Sequence, residues 1–391
     1  MSDRTSSIYL DNAATSFPKP ESVYRAIDEF MRHGGGSPGR GLYPKAVEAE
    51  EMLLETRCRL AKLLDVPDPS RIVFSANSTE AINLALKGYL QQGDHVVTTV
   101  LEHNAVLRPL HVLERTRGIS VTYVDCDDQG RLDPEAFRKA MRKETRLVAC
   151  VHGSNVLGTV APIEAIATIA HEAGAQLLVD GSQTAGTMPL SMRTLGADLF
   201  AFTGHKGLLG APGTGGLYVA PHLDLETVKE GGTGSVSESL EPPEFLPDRF
   251  EPGTPNTYGL AGLGAGVTYL LERGVAAIRE HESALAQRLF DRLRELRGVT
   301  LYNPPDPAAR LGIVSLGFEH LSPTEGCAIL SSKFGIMARC GLHCAPLCHR
   351  RLGLESKGSL RLSVGAFTTA EDVDAAASAI EQIVRATYRR K

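Results

Sequence analysis

Short apolar runs alternate with longer mixed stretches between residues 70 and 220, and this pattern predicts alternating strands and helices. The predicted strands are Arg71–Phe74, His95–Val100, Ser120–Val124, Leu147–His152, Gln176–Asp180, Leu199–Thr203 and Gly216–Ala220. The helices predicted between them include Glu80–Tyr89, Val106–Arg117, Pro134–Arg142 and Ile163–Ala173. Such alternation is typical of an α/β fold, in which helices cover both faces of a mostly parallel sheet.

Other segments depart from this alternation. Gly34–Gly41 is a glycine-rich loop before the amphipathic helix Pro44–Leu64, and the Pro- and Glu-rich segment Leu240–Asn256 predicts an irregular connector. One long helix is predicted from Tyr258 to Leu296, followed by strand, helix, strand, loop, strand and a helix that ends near Tyr388. We expect this last part to form a smaller α+β domain, against which the first dozen residues pack.

Length and composition agree with an ordinary multi-domain globular protein. The 391 residues predict two or three domains, and 42% hydrophobic residues are enough for a large core. We expect a large domain of residues 17–257 and a small domain made of residues 1–16 and 258–391. The net charge of −5 is spread along the chain, so no basic block predicts binding to nucleic acid or membrane. The segment Met1–Ser7 is polar and lacks a signal-peptide core, so we expect a cytoplasmic location.

Seven cysteines, an odd number in a long chain, argue against a disulfide framework. Four of them are isolated in apolar segments and are predicted to be small buried hydrophobes: Cys58, Cys126, Cys150 and Cys327. The other three, Cys340, Cys344 and Cys348, crowd one short segment. Their spacing is a weak zinc pattern. We expect no metal, and a structural loop or a catalytic thiol are the other interpretations.

Candidate chemistry appears where the predicted strands end. Lys206 follows the run Leu199–Thr203, where a desolvated amine would be suited to forming an imine, although an isolated lysine is usually an inert surface residue. Asp180 closes another apolar strand, where a carboxylate needs a cationic partner or serves as a helix cap. A protonated pyridine nitrogen is such a partner.

Three more candidates follow strands. Asn77, Ser78 and Thr79 lie at a strand-to-helix junction, where free N–H groups can bind phosphate or where a side chain simply caps the helix. His103 can stack on a flat ring or remain a solvated loop residue, and Asn155 follows the next strand. Because ligands bind at the carboxyl ends of strands in such sheets, the joint placement of all five candidates predicts an enzyme site.

These residues together resemble a known family. Thr203-Gly204-His205-Lys206, Asp180-Gly181-Ser182-Gln183 and Arg339-Cys340-Gly341-Leu342-His343-Cys344-Ala345 are similar to motifs of the class V aminotransferase-type, fold-type I pyridoxal-phosphate enzymes. The similarity extends from Tyr9-Leu10-Asp11-Asn12-Ala13-Ala14-Thr15 to Arg361, nearly the whole chain, and is greatest to the cysteine desulfurases.

The resemblance implies a role for each matching residue. Lys206 would hold pyridoxal 5'-phosphate as a Schiff base and move protons, Asp180 would pair with the pyridine nitrogen, and Gln183 would bond the phenolic oxygen. His103 would stack on the ring. The implied phosphate ligands are Asn77, Ser78, Thr79, Thr203 and His205, with Gly253 and Thr254 from the neighbouring subunit of a homodimer. The implied substrate-binding residues are Ala14, Asn155 and Arg361, the last two for the substrate carboxylate.

The resemblance also implies that Cys344 attacks the sulfur of L-cysteine, which gives L-alanine and a persulfide that passes to an acceptor protein. His343 and Arg339 are nearby groups that would favour the thiolate. The departures are Leu342 in place of a second histidine, Asn77 in place of glycine, the absence of tryptophan and the additional thiols. A selenocysteine lyase, another class V activity and a non-catalytic scaffold remain alternatives. Iron–sulfur cluster assembly, tRNA thiolation and cofactor synthesis remain open as pathways.

Overall fold

A computed structural model describes residues 7–39 and 41–388. The strands are β1 Ile8–Tyr9, β2 Ile72–Ser75, β3 His95–Thr99, β4 Ser120–Val124, β5 Thr145–Val151, β6 Gln176–Asp180, β7 Leu199–Thr203, β8 Gly215–Val219, β9 Val299–Leu301, β10 Ile313–Phe318, β11 Ile336–Met337, β12 Arg339–Gly341 and β13 Ser359–Ser363. The helices are α1 Glu21–Glu29, α2 Pro44–Leu64, α3 Ser78–Tyr89, α4 Asn104–Arg117, α5 Pro134–Ala140, α6 Ile163–Glu172, α7 Met192–Leu195, α8 Thr257–Arg273, α9 Val275–Arg294, α10 Pro323–Phe334, α11 Pro346–Arg351 and α12 Ala370–Tyr388.

A seven-stranded sheet forms the centre of the larger part, in the order β2-β8-β7-β6-β5-β3-β4. Strand β8 runs in the opposite direction to the other six strands of this sheet, because it pairs antiparallel with both β2 and β7. The pairs from β7 through β6, β5 and β3 to β4 are all parallel. The middle strands β5, β6 and β7 are buried almost along their whole lengths because helices cover both faces, as their continuous apolar sequences require. The predicted α/β fold with a mostly parallel seven-stranded sheet is therefore confirmed.

A second, smaller sheet follows in the chain. It is antiparallel, in the order β12-β13-β10-β9, and its core includes side chains of α9, α10 and α12. The N-terminal segment joins it, since β1 pairs with β11 and Asp11 forms a bridge with Ser363. The first residues described therefore contact strands of the C-terminal part of the chain.

The single long helix predicted from Tyr258 to Leu296 is wrong, because Gly274 divides it into α8 and α9. Gly274 has a φ of 83°, which is left-handed and which an L-residue rarely adopts. Leu263 and Val267 of α8 lie in the core beneath the large sheet, whereas Leu289 of α9 lies in the small core. We therefore propose that the change between domains occurs near Gly274, about a helix later than the boundary after residue 257.

The prediction that four isolated cysteines are buried is wrong for Cys58, which is exposed on α2, and Cys327 is only partly buried.

The predicted loop Gly34–Gly41 begins at the end of a π-helical turn, Phe30–Gly34. Its residue Arg40 lies outside the described residues. The first six residues of the predicted polar N-terminus also lie outside them. The connector Leu240–Asn256 is irregular apart from a 3₁₀ turn at Asp248–Phe250. In the described part of the chain, no helix is long and apolar enough to cross a bilayer.

Candidate active site

The carboxyl edge of the large sheet brings together four of the five predicted strand-end groups. Asp180 ends β6, Lys206 follows β7, His103 follows β3 and Asn155 follows β5. The charges of Asp180, Lys206 and Arg361 all act on the pKa of His103, so these groups surround one space. The fifth group, at Asn77, lies at the same edge after β2.

Lys206 is held by its backbone, while its amine makes no hydrogen bond with any described residue. The carbonyl oxygen of the preceding His205 accepts four hydrogen bonds, from Ser16 N at 3.0 Å, Thr15 Oγ1 at 3.1 Å, Ser16 Oγ at 3.2 Å and Lys19 Nζ at 2.7 Å. Burial lowers the pKa of Lys206 from 10.5 to about 8, against the opposing effect of Asp180. A free amine with this pKa is a better nucleophile than an ordinary lysine.

Asp180 is buried, and its Oδ1 accepts a hydrogen bond from Ser182 N at 3.0 Å. It forms no ion pair at contact distance with any described residue, although its charge acts on the nearby Lys206, so a further cationic group would be stabilised beside this carboxylate. His103 caps α4, and its Nδ1 accepts from Ala105 N at 3.0 Å, which leaves Nε2 to carry the proton. Burial lowers the pKa of His103, so the ring is neutral near pH 7.

The predicted phosphate ligands are only partly assembled in one chain. Asn77 caps α3 by accepting from Glu80 N at 3.0 Å, so Ser78 and Thr79 occupy the first turn, where helices have free N–H groups. Thr203 is buried at the end of β7, and burial lowers the pKa of His205 to about 4, so this histidine is neutral near pH 7.

Gly253 and Thr254 lie apart from Lys206. Both are exposed and line a cleft of about 530 Å³ with Arg57, and they also line a second cleft with Ala76 and Glu80 at the start of α3. Lys206 lines neither cleft. The structure therefore does not bring them to Lys206 of their own chain.

Arg361 and Asn155 lie deep on the side of the small sheet. Arg361 Nη1 donates to the Asn155 carbonyl oxygen at 2.8 Å, and Nη2 donates to Asp11 Oδ1 at 2.9 Å. Arg361 Nε and Asn155 Oδ1 are buried without a hydrogen-bond partner among the described residues. Ala14 is half-buried nearby, and Gln183 donates from Nε2 to the Ala13 carbonyl oxygen at 2.9 Å. Unpaired buried polar atoms are costly and commonly mark a ligand site.

The segment that carries Cys344 is strained and fixed by two hydrogen bonds. His343 and Cys344 have φ values of 47° and 58°, an uncommon conformation for residues other than glycine. Asn155 Nδ2 donates to the His343 carbonyl oxygen at 2.7 Å, and Asn104 N donates to the Cys344 carbonyl oxygen at 2.7 Å. Cys344 itself is exposed. The two asparagines therefore hold an accessible thiol at the edge of the site.

His343 does not supply the positive charge expected beside this thiol. Burial, with smaller effects from Arg361 and His349, lowers the pKa of His343 from 6.5 to about 3. Burial therefore keeps the His343 ring neutral near pH 7, so this residue adds no positive charge beside the thiol. Of the two side chains that the sequence suggested beside Cys344, Arg339 is therefore the cationic one.

The three clustered thiols have different surroundings. Cys340 contacts Cys327 of α10, and Cys348 is fully buried in α11 near Cys126. Burial raises the pKa of Cys348 and of Cys327, which makes both poor nucleophiles. Residues 7–39 and 41–388 contain no group of histidine, cysteine and acidic side chains arranged to hold a metal ion.

The sequence did not identify Asp11, Lys19 or Asn104 as site residues. Asp11 and Lys19 act through partners far along the chain, so no local pattern indicated them. Asn104 contributes its backbone N–H, which any residue except proline would supply at that position.

Comparison with known proteins identifies the family of the chain. The family description Aminotransferase class-V matches residues 8–376. A probable cysteine desulfurase of Methanothermobacter thermautotrophicus is 36% identical over 96% of this chain and 94% of its own length. A cysteine desulfurase of Klebsiella pneumoniae is 34% identical over 96% and 93% of the two chains.

Solved structures show the same likeness. The apo cysteine desulfurase of Thermococcus onnurineus superposes with a TM-score of 0.92 at 34% identity, covering 97% of this chain and 95% of that one. A cysteine desulfurase of Escherichia coli gives a TM-score of 0.89 at 29% identity with the same coverage. The chain therefore belongs to the class V aminotransferase family and, within it, to the proteins named cysteine desulfurases.

Proposed function

We propose that this protein is a pyridoxal-phosphate-dependent cysteine desulfurase, which converts L-cysteine to L-alanine and leaves the sulfur on Cys344 as a persulfide. The observation that carries the proposal is the accessible Cys344, held by Asn104 and Asn155 beside the free amine of Lys206.

The residues present fit pyridoxal phosphate. Asp180 is a buried carboxylate that makes no contact ion pair with any described residue, so it can pair with a protonated pyridine nitrogen. Lys206 supplies a free amine, His103 supplies a neutral ring, and the first turn of α3 supplies N–H groups for a phosphate. When bound, the cofactor would supply an electron sink for bonds at the substrate's carbon atoms.

Arg361 and Asn155 would orient the substrate. The unpaired Arg361 Nε and its remaining N–H groups can donate to one carboxylate, because a guanidinium grips a carboxylate with parallel hydrogen bonds. Lys206 Nζ, with a pKa of about 8, can both accept and return a proton near neutral pH. His103, with its proton on Nε2, remains uncharged beside it.

Cys344 would then receive the sulfur. Its thiolate attacks the substrate sulfur, the carbon–sulfur bond breaks, and a sulfur–sulfur bond forms. The electron pair of the broken bond stays with the substrate's β-carbon, which takes up a proton and becomes the methyl group of alanine. No external oxidant is needed, since the substrate carbon is reduced as its sulfur is oxidised.

We also propose a homodimer and a sulfur-acceptor protein. Gly253 and Thr254 are exposed and away from their own Lys206, as expected of residues that complete the phosphate site of a second copy. The exposed apolar side chains Leu42 and Leu240 would be covered in such a dimer. Native mass measurement should give twice the chain mass, and a monomer that binds the cofactor fully would contradict this arrangement.

The test of the function is to incubate the cofactor-loaded protein with L-cysteine and a reductant, and to measure sulfide and alanine. Both should form in equal amounts and stop in Cys344→Ala. Cys58→Ala is the matched control, since Cys58 is also exposed but lies on α2. Full cysteine turnover in Cys344→Ala would contradict the proposed role of this thiol. Faster turnover of L-selenocysteine that persists in Cys344→Ala would favour a selenocysteine lyase instead.

A further inference from the structure

Two arginines of the small sheet lie side by side with one carboxylate between them. Arg339 of β12 and Arg361 of β13 are directly paired residues of antiparallel strands, so their side chains share one face. Like charges in such a pair repel each other. Asp11 offsets this repulsion, because its Oδ1 accepts from Arg361 Nη2 at 2.9 Å and its Oδ2 accepts from Arg339 Nε at 2.9 Å.

The group carries one net positive charge, from two guanidinium groups and one carboxylate. The side chains of Arg361 and Asp11 are only 2% and 13% exposed, so salt and water screen their charges weakly. Arg361 still has an unpaired buried Nε, whereas Arg339 is about half exposed. Asp11, Arg339 and Arg361 therefore form a positively charged pocket that can bind one anion.

The two arginines lie in different parts of the site, and the charge of Arg339 acts on both Lys206 and His343. Arg361 is tied to Asn155 at the deep end of the site. Arg339 lies on the strand that leads into Leu342, His343 and Cys344, where the side chain of the substrate must point for its sulfur to meet the thiol. Without Asp11, Arg339 would present a full positive charge to that side chain.

We propose that Asp11 determines specificity: by cancelling the charge of one arginine, it restricts the pocket to amino acids with a single acidic group. This inference rests on the proposed function, which assigns the substrate carboxylate to Arg361. Asp11 acts through the two arginines and is a positioning residue. A second acidic group on the ligand's side chain would meet the Asp11 carboxylate beside Arg339, so acidic amino acids are disfavoured.

The test compares L-alanine, with one acidic group, and L-cysteate, with two. Each is titrated into the cofactor-loaded enzyme, the absorbance of the bound cofactor gives a dissociation constant, and the ratio of the two constants is the measured quantity. In Asp11→Asn the ratio should shift toward L-cysteate by about tenfold, the effect of one unscreened charge at close range. In Arg339→Gln it should shift toward L-alanine.

The double variant gives the sharpest result, because Asp11→Asn with Arg339→Gln restores one net charge. Its ratio should return to within about threefold of the wild-type ratio, since the two charge changes cancel. Asp11→Glu keeps the charge, so its ratio should stay near that of the wild type even if both ligands bind more weakly. Asp374→Asn is the matched control, since Asp374 also joins two arginines, Arg288 and Arg292, on exposed faces of α9 and α12.

An unchanged ratio in Asp11→Asn and in Arg339→Gln would overturn the inference, even if both affinities fall, because a purely structural role weakens both ligands alike. If Asp11→Asn does not fold, Arg339→Gln alone decides, and an unchanged ratio there overturns it. A wild-type enzyme that binds both amino acids but forms no sulfide from L-cysteine would contradict the proposed function and leave the charge test intact. An enzyme that binds neither would overturn both.

Discussion

Replacing Glu282 by glutamine should remove part of the pH dependence of stability. Glu282 lies on α9, is 6% exposed, and makes no hydrogen bond or ion pair with any described residue. It lines a narrow space of about 40 Å³ between the two sheets, which Lys206 and Ser363 also line. Burial raises its pKa from 4.5 to about 8, against a smaller opposing effect of Arg279.

The size of the effect follows from the proton that the folded protein retains. Between the two pKa values of 4.5 and about 8, folded Glu282 is protonated whereas the unfolded chain has lost this proton. Unfolding therefore releases a proton, and the free energy of unfolding falls by about 1.4 kcal/mol for each pH unit in this window. From pH 5.5 to 7.5 Glu282 alone would lower stability by roughly 2–3 kcal/mol. Because glutamine does not titrate, Glu282→Gln removes this contribution to the pH dependence of stability.

The assay is denaturant unfolding of the cofactor-free protein at several pH values between 5.5 and 7.5, followed by circular dichroism. The stability of Glu282→Gln relative to wild type should rise with pH by about 2 kcal/mol over this range. Glu280→Gln is the matched control, because Glu280 lies on the same helix but is exposed. A difference between Glu282→Gln and wild type that stays constant with pH would refute the reasoning.

Three further variants or treatments have definite outcomes. Asn155→Ala removes the hydrogen bond that holds the His343 carbonyl oxygen, so single-turnover persulfide formation should slow by at least about tenfold, and an unchanged rate would show that the bond is dispensable. Brief alkylation of the native protein should modify Cys58 and Cys344 before the buried Cys150 and Cys348, as peptide mass spectrometry would show; equal labelling of all four would contradict the burial described. Lys206→Ala should lose both cysteine turnover and the absorbance of covalently bound cofactor, whereas Lys87→Ala, in the last turn of α3 at the far end from Asn77, should keep both.

The central sheet and the residues at its carboxyl edge follow from the sequence because the middle strands β6 and β7 are mostly apolar runs that end in a polar residue. Strands such as Gln176–Asp180 and Leu199–Thr203 have the predicted bounds for this reason. Asp180 and Lys206 then lie at the edge where the topology requires them. Local sequence patterns are therefore sufficient to predict the position of these two proposed cofactor-binding residues.

The remainder depends on contacts between distant residues or on one backbone angle. Asp11 and Arg339 are 328 positions apart, and no periodicity relates them. Gly274 divides α8 from α9 although the apolar pattern continues across it, and one glycine within a helical pattern does not by itself predict a break. The neutral state of His343 follows from burial that the neighbouring sequence does not indicate.

The most direct test of the proposed mechanism is mass spectrometry of the cysteine-treated enzyme, with fragmentation of the peptide that carries Cys340, Cys344 and Cys348. We expect one additional sulfur atom at Cys344, one alanine released for each persulfide formed, and no additional sulfur at Cys340 or Cys348. Sulfur on Cys340 or Cys348 while Cys344 stays unmodified, or alanine formation without any protein persulfide, would contradict it.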